Sequence, residues 1–294
     1  LIPFTLRQLE YFVAAARHGS TSRAAAALSV SQPSISTAIG ELESLWKEAL
    51  FYRKHAQGLE LTSAGKRRYH QAQAVLQGAV ALGAAQDGGI SGELAVGCFS
   101  TLGPMYLPAI MRTFIELYPD VKLKIVEGDT EELVSQVERG MLDLAIIYDM
   151  GLLRELAITP LGQQSPYVLL PATHKLARQP SLRVSNLSGE PFILIDLPHS
   201  RDYFLSILHV GGATPRLVLK THSIEMVRSL VANGHGVSIL VTRPSRDYSY
   251  DGKRIVCKPL EGNLPPQKIV AAAAAEGRLS PAAEAFIRVA RNHF

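Results

Sequence analysis

Cysteine is nearly absent: Cys98 and Cys257 are the only two in 294 residues. They form no C-x-x-C pair and no Cys/His ligand spacing, so neither a disulfide framework nor a zinc site is expected, and both should be reduced cytoplasmic thiols. No apolar run approaches the ~18 residues needed to span a bilayer. The opening Leu1-Ile2-Pro3-Phe4-Thr5-Leu6-Arg7 lacks a basic segment followed by an apolar one and a cleavage site, so a cytoplasmic location is the expectation. Internal repeats and low-complexity tracts are missing as well. So are the short motifs of catalysis: there is no G-x-S-x-G, H-E-x-x-H or Walker loop, and no G-x-G-x-x-G with a suitable acidic residue after it. Gly234-His235-Gly236, the nearest glycine pair, reads as a helix end. Asp196, His199 and Ser200 are neighbours of a kind any chain of this length offers. No enzymatic activity, catalytic residue, metal or cofactor is therefore expected.

Charge is uneven rather than extreme. Residues 1–86 hold nine Lys/Arg against five Asp/Glu, whereas residues 87–294 hold twenty-one of each, so the whole net charge of +4 lies in the N-terminal part. A basic segment of this size suits contact with phosphates through residues such as Arg7, Arg23, Arg53, Lys54, Arg67 and Arg68.

Three helices are predicted in that basic segment. Thr5 and Gln8 make a T-x-x-Q capping box before the apolar stripe Leu6, Leu9, Phe12, Val13 and Ala16, which stops at Gly19. A short Ala-rich helix follows from Ser22 to Leu28. Ser31 then caps a third helix with Pro33 in its first turn, where the missing N–H costs nothing. Ile35, Ile39 and Leu42 fall on one face of it. Gln32, Ser36, Thr37 and Gly40 form the other, small and polar enough to approach a second surface closely. Two short helices joined by about three residues, the second polar on one side, are the helix-turn-helix arrangement that places its second helix in the major groove of DNA. Leu50-Phe51-Tyr52-Arg53 and Leu59-Glu60-Leu61-Thr62 can pair around Gly58 as the wing of a winged helix, with Arg53, Lys54 and His55 at its tip for the sugar–phosphate backbone.

Leu6-Arg7-Gln8-Leu9-Glu10-Tyr11-Phe12, Gly19-Ser20, Ser22-Arg23-Ala24-Ala25, Ser31-Gln32-Pro33-Ser34-Ile35-Ser36, Ile39, Glu41-Leu42-Glu43, Leu50-Phe51 and Leu61-Thr62-x-Ala64-Gly65 resemble the LysR-type transcriptional regulators over about sixty residues in register. The resemblance implies Arg23, Ser31, Gln32, Pro33, Ser34, Ser36, Thr37, Arg53 and Lys54 as DNA-binding residues. It also implies double-stranded promoter DNA, a small-molecule effector and RNA polymerase as partners, with assembly into a homodimer or homotetramer and no membrane contact. Two departures stand out. Thr37, Ala38 and Gly40 replace the usual basic or amide side chains of the recognition helix, and Trp46-Lys47 replaces the usual Leu-Gly after it. Losing that glycine removes a comfortable left-handed position, so the turn is rebuilt or the helix runs on.

The fold class expected is α+β overall: residues 1–61 a winged helix-turn-helix, residues 62–87 a linker helix for dimerisation, and residues 88–294 an effector-binding domain of two α/β lobes like those of periplasmic binding proteins. Thr62 caps the long linker helix, whose Tyr69, Ala72, Leu76, Ala79 and Gly83 suit close approach of a second helix. Asp87-Gly88-Gly89-Ile90-Ser91-Gly92 ends it. Strand–helix alternation then begins, with strands 93–98, 121–127 and 142–148 around helices 105–118 and 131–139. It restarts with strands 167–171, 192–195, 217–220 and 237–241 and helices 201–208 and 223–233. A last strand, 268–274, and a helix from Ser280-Pro281 return to the first lobe. Lobe I is thus 92–163 with 267–294, and lobe II is 164–266.

Open α/β lobes bind ligands beyond the carboxyl ends of their strands, where helix N-termini offer unpaired N–H groups. That rule selects Ser100, Thr101, Leu102, Tyr148, His199, Ser200, Arg201, Thr221, His222 and Ser223. Hydroxyls, helix N-termini and one guanidinium suit an anion, and a small organic or aromatic acid is the expected effector. Two other classes remain open: a lobed domain of this type with catalytic activity, and a DNA-architectural protein without an effector.

Overall fold

A computed structural model describes residues 2–54, 58–83, 89–151, 156–198, 200–275 and 279–294, without the side chains of residues 53, 54, 77 and 81–83. His199, the hairpin tip with His55, and residues 84–88 at the expected end of the linker lie outside them.

The chain opens with α1 (Leu6–His18), α2 (Thr21–Leu28) and α3 (Gln32–Trp46). Both arms of the capping box at Thr5 form, and Gly19 closes α1 at φ 58°. The second helix starts earlier than expected because Ser20, not Ser22, caps it by accepting from the Arg23 N–H. Ser31 caps α3 through the Ser34 N–H, and Ile35, Ile39 and Leu42 are buried as the spacing predicts. Phe12 lies at the centre of this small core, meeting Trp46, Phe51 and Tyr69 edge to face. Such pairs add about 0.5–1.5 kcal/mol each beyond area burial.

At the end of α3 the chain rebuilds its turn without glycine. Lys47 takes the left-handed conformation at φ 54° and its N–H reaches the Glu43 carbonyl. A non-glycine residue held there costs about 1 kcal/mol. Lys47 is solvent-exposed, so Lys47→Gly should raise stability of this domain by roughly 0.5–1 kcal/mol in urea titration; a loss would mean that the side chain itself holds the turn.

Two short strands, β1 (Phe51–Lys54) and β2 (Gly58–Leu61), pair antiparallel as the wing, and α4 (Ser63–Gly83) follows. The Leu59 N–H donates to the Gly19 carbonyl at 2.8 Å, and a Cβ on Gly58 would fall 2.7 Å from that same oxygen. The wing is thereby fastened to the α1–α2 turn. The expected seam on α4 needs correction: Tyr69 and Ala72 are buried in the chain's own core against α1, whereas Val75 and Val80 are exposed. Small residues at helical spacing announce a close neighbour without saying which.

Beyond the linker, β3 (Gly92–Phe99), α5 (Gly103–Leu117), β4 (Val121–Gly128), α6 (Thr130–Glu138), β5 (Leu144–Tyr148) and β6 (Leu156–Gln164) build the first lobe. The chain crosses at residues 165–166 into β7 (Tyr167–Pro171), β8 (Pro191–Ile195), α7 (Ser200–Val210), β9 (Arg216–Thr221), α8 (Ile224–Ala232), β10 (Ser238–Leu240) and β11 (Ile255–Pro259). It crosses back at residues 260–266 into β12 (Gln267–Ala274) and α9 (Pro281–Arg291). The first lobe holds a five-stranded sheet in the order β4-β3-β5-β12-β6, with β4, β3 and β5 parallel and β12 antiparallel to both of its neighbours. In the second, β10-β7-β11 is antiparallel, β8-β9 is a parallel pair, and a bridge from Phe192 to Val237 joins them. Ser280 caps α9, which packs on the sheet of the first lobe beside α5. Two strands were not anticipated, β6 and β11. Both belong to antiparallel pairings at the lobe crossings rather than to strand–helix units.

Candidate functional site

Two surfaces of the chain carry exposed or cleft-facing polar groups in a deliberate arrangement. On α3, Gln32, Pro33, Ser34, Ser36 and Thr37 are all solvent-exposed, with the capping Ser31 beside them, while Ile35 and Ala38 turn inward. The Gln32 Nε2 donates to Thr21 Oγ1 at 3.2 Å and to Ser36 Oγ at 2.8 Å, so the side chain is left with its carbonyl oxygen as an acceptor. Ser31 and Ser34 share a hydroxyl hydrogen bond of 2.7 Å. This face is small, polar and unobstructed, as a helix entering a major groove must be. Arg7 and Arg23, on α1 and α2, are exposed as well.

Some of the expected phosphate-contacting cations are used elsewhere. Arg67 and Arg68 both reach the Glu48 carboxylate at 3.0 Å, and the Arg68 guanidinium lies 4.8 Å from the centre of the Trp46 ring. They tie α4 to the end of α3, although the Arg67 side chain stays 45% exposed. Arg53 and Lys54 sit on β1 next to the wing tip, where the backbone is defined.

The second surface is the cleft between the lobes. Phe99, Ile195, Leu197, Phe204, Ile224, Leu240 and Val241 line it together with Thr101, Tyr148, Ser200, Thr242 and Gln267. It encloses only about 20 Å³, room for little more than one water. Tyr148, at the end of β5, spans it: its hydroxyl lies 2.9 Å from Thr242 Oγ1 of the other lobe and donates to Gln164 Oε1 at 2.8 Å. Gln164 in turn donates to the Tyr106 hydroxyl at 2.6 Å. Burial pushes the Tyr148 phenol well above its ordinary range, against the pull of hydrogen bonds from Thr242 and Thr101. Behind Thr242, its carbonyl accepts from Tyr167 at 3.1 Å and from the buried Arg228, whose guanidinium also pairs with Glu225. Thr242 is held from two sides.

Of the residues selected from the sequence, Thr101, Tyr148 and Ser200 line this cleft. Ser100 uses its N–H on the Gly128 carbonyl, and Leu102 is fully buried just before α5. Arg201 is not among these lining residues; half exposed, it reaches Asp196 at 3.4 Å and Asp202 at 3.6 Å. Thr221 and Ser223 spend their hydroxyls on local caps, accepting from the Ser223 and Met226 N–H groups, and His222 is exposed. The residues not anticipated are mostly apolar, and two are polar: Thr242 lies just past β10, so the same strand-end rule could have found it, and Gln267 opens β12 at a lobe crossing.

A winged helix-turn-helix with an open reading helix, carried on a long helix and followed by two lobes around a cleft, defines a DNA-binding transcriptional regulator with an effector-binding domain. Comparison with known proteins agrees over nearly the whole chain. Residues 6–66 match the bacterial regulatory helix-turn-helix protein model of the lysR family, and residues 87–294 match the LysR substrate binding domain. The chain belongs to the LysR family of transcriptional regulators. Among its relatives is a hydrogen peroxide-inducible genes activator of Dickeya chrysanthemi, 31% identical over 80% of this chain and 78% of the relative. HinK, a LysR family transcriptional regulator from Pseudomonas aeruginosa, is 38% identical in its crystal structure, with 98% of both chains covered and a TM-score of 0.67. A full-length OxyR variant from the same species is 28% identical, with 99% of both chains covered and a TM-score of 0.77.

Proposed function

We propose that this regulator responds, in the cytoplasm, to a small and largely apolar organic effector bound between the lobes, and that it acts on promoter DNA as a homodimer or homotetramer with RNA polymerase as a further partner. The lining of the cleft carries this reading: among the described residues it has seven apolar side chains and five uncharged polar ones, with no ionised group. An aromatic acid fits if its carboxylate is met by uncharged donors such as the Thr101 and Ser200 hydroxyls, since Arg201 is already paired with Asp196 and Asp202. The test is a thermal-shift comparison of the full chain with benzoate, benzamide, benzyl alcohol and a sugar series, because a ligand that binds only the native state raises its melting temperature. Stabilisation by the aromatic compounds and not the sugars supports the reading; stabilisation by sugars alone defeats it.

Relatives named for hydrogen peroxide raise the alternative of thiol sensing. Burial pushes the Cys98 thiol up to about 12, with Glu127 adding to it, and the Cys257 thiol up to about 11, with Asp247 adding to it. Both are buried, and the reactive species in thiol oxidation is the thiolate. At neutral pH it is scarce at either site. DNA binding is therefore expected to survive stoichiometric hydrogen peroxide unchanged in gel-shift titration, as should that of Cys98→Ser and Cys257→Ser; peroxide sensitivity abolished by either variant would reverse this conclusion.

The oligomer reading rests on α4. With Tyr69 and Ala72 committed to the core, the exposed Val75 and Val80 remain, and Val80 borders a groove of about 990 Å³ with Leu6, Val13, Leu28 and Leu76. Val80→Glu should move the protein toward monomer in sedimentation, since a carboxylate buried without a partner is expensive. An unchanged oligomer would place the interface elsewhere.

A further inference from the structure

The DNA-binding domain and lobe I meet at a fully buried side chain. Tyr69, on α4, donates its hydroxyl to the Gly140 carbonyl at 2.7 Å and accepts from Arg17 Nε of α1 at 3.2 Å. Gly140 follows α6 in the left-handed conformation at φ 68°, and a Cβ there would fall 1.8 Å from the Tyr69 ring. The ring therefore lies directly on the backbone of lobe I. Three residues on, the Asp143 carboxylate accepts from the Ala95 N–H at 2.7 Å while its own N–H donates to the Ala95 carbonyl at 2.8 Å, which staples this turn to β3. Arg17 carries its charge in this part-buried setting because Tyr69 and Asp143 offset the cost of burial.

Immediately after Asp143 the chain enters β5, whose five residues are all buried. Its sheet neighbours are β3 and β12. It spans about 17 Å at ~3.3 Å per residue. At its far end is Tyr148, whose hydroxyl meets Thr242 of the second lobe across the cleft. One straight, doubly flanked strand thus has the cleft at one end and the seat of the linker helix at the other. Strands in the middle of a sheet move as units, because shifting one residue breaks hydrogen bonds to both neighbours.

We propose that Tyr69 is the coupling residue of this regulator: seated on the Gly140 turn, it passes displacement of β5, set by whether Tyr148 and Thr242 are in contact, to α4 and so to the reading helix of the same chain. The proposal rests on the effector reading above for its purpose but not for its test. Residues between two sites prove coupling only when perturbing one is felt at the other. Tyr148→Phe and Thr242→Val each remove the interlobe hydrogen bond from opposite sides, and Tyr69→Phe keeps the ring in the core while removing both of its hydroxyl contacts.

The experiment is amide hydrogen exchange by mass spectrometry on the full chain, with DNA affinity measured in parallel. Tyr148→Phe and Thr242→Val should speed exchange by roughly threefold or more in residues 137–143 and also in residues 63–76. In the Tyr69→Phe background the increase should remain in residues 137–143 and not reach residues 63–76. DNA affinities should follow the same pattern, with the effect of Tyr148→Phe non-additive with that of Tyr69→Phe. Wild-type exchange in residues 63–76 of both cleft variants, or strict additivity of the double variant, overturns the proposal. A failure of every small molecule to bind would remove the effector reading and leave this result standing, so the two can fail separately.

Discussion

Gln32→Ala is expected to lose roughly ten- to a hundredfold in affinity for a cognate operator while leaving binding to random duplex nearly unchanged, as befits a side chain worth about 1–3 kcal/mol of base discrimination. Its position supports this. Gln32 opens α3 on the exposed face, where the first turn of a recognition helix reaches base edges. Thr21 and Ser36 hold its amide nitrogen, which fixes the side chain and leaves the carbonyl oxygen to accept from a donor such as the exocyclic amine of adenine or cytosine. A truncation here removes both the reading atom and its pre-organisation. Fluorescence anisotropy against cognate and scrambled duplexes decides it. Equal losses on both would show that Gln32 contacts only the backbone and that α3 is docked in another register.

Gly65→Ala should be the most damaging single methyl in the DNA-binding domain, costing about 3 kcal/mol or more, at the upper end of overpacking effects. A Cβ at Gly65 would fall 2.0 Å from the Leu50 carbonyl oxygen and 2.9 Å from its carbon. That carbonyl already accepts from the Thr62 N–H at 3.0 Å, while the Thr62 hydroxyl donates to Ala49 and accepts from the Gly65 N–H. Neither backbone can retreat without breaking the junction of wing and linker. Gly78→Ala is the control. Nothing lies within 4 Å of its added methyl, so it should instead stabilise α4 by up to about 1 kcal/mol through helix propensity. Urea denaturation of the two variants should bracket the wild type; a Gly65→Ala protein as stable as wild type would mean that the junction is looser than its contacts imply.

Local signals were legible in the sequence wherever one residue type decides the backbone. Thr5, Ser31 and Ser280 each cap the helix they announce. The alternation of strands and helices located most of both lobes. What escaped was set by distant pairing. The β6 stretch contains Pro160 and Gly162 and reads as a breaker-rich loop, yet it is a full edge partner of β12, with a register shift at Ile269 and Val270 absorbing the irregularity. The site was only half legible for a similar reason. Strand ends pointed to Thr101, Tyr148 and Ser200, but one step further along α7 rotates the chain by about 100°, which carries Arg201 out to Asp196. Apolar lining such as Phe204 and Ile224 looks like any helix's core face until the second lobe is in place. Nothing local reveals Glu48 opposite Arg67 and Arg68, so their ion pairs are invisible in the sequence.

The narrowness of the cleft bears on how fast this regulator can answer. With about 20 Å³ in the pocket beside Tyr148 and Thr242, an organic effector bound there, as proposed above, would have to wait for those two residues to part. Apparent affinity is then the intrinsic affinity reduced by the fraction of time the lobes are apart. The observed association rate rises with concentration only until it meets the opening rate, where it levels off. On the effector reading proposed above, a pulse shorter than the opening time would be filtered out and a sustained one registered, a timing property set by two hydroxyl groups 2.9 Å apart.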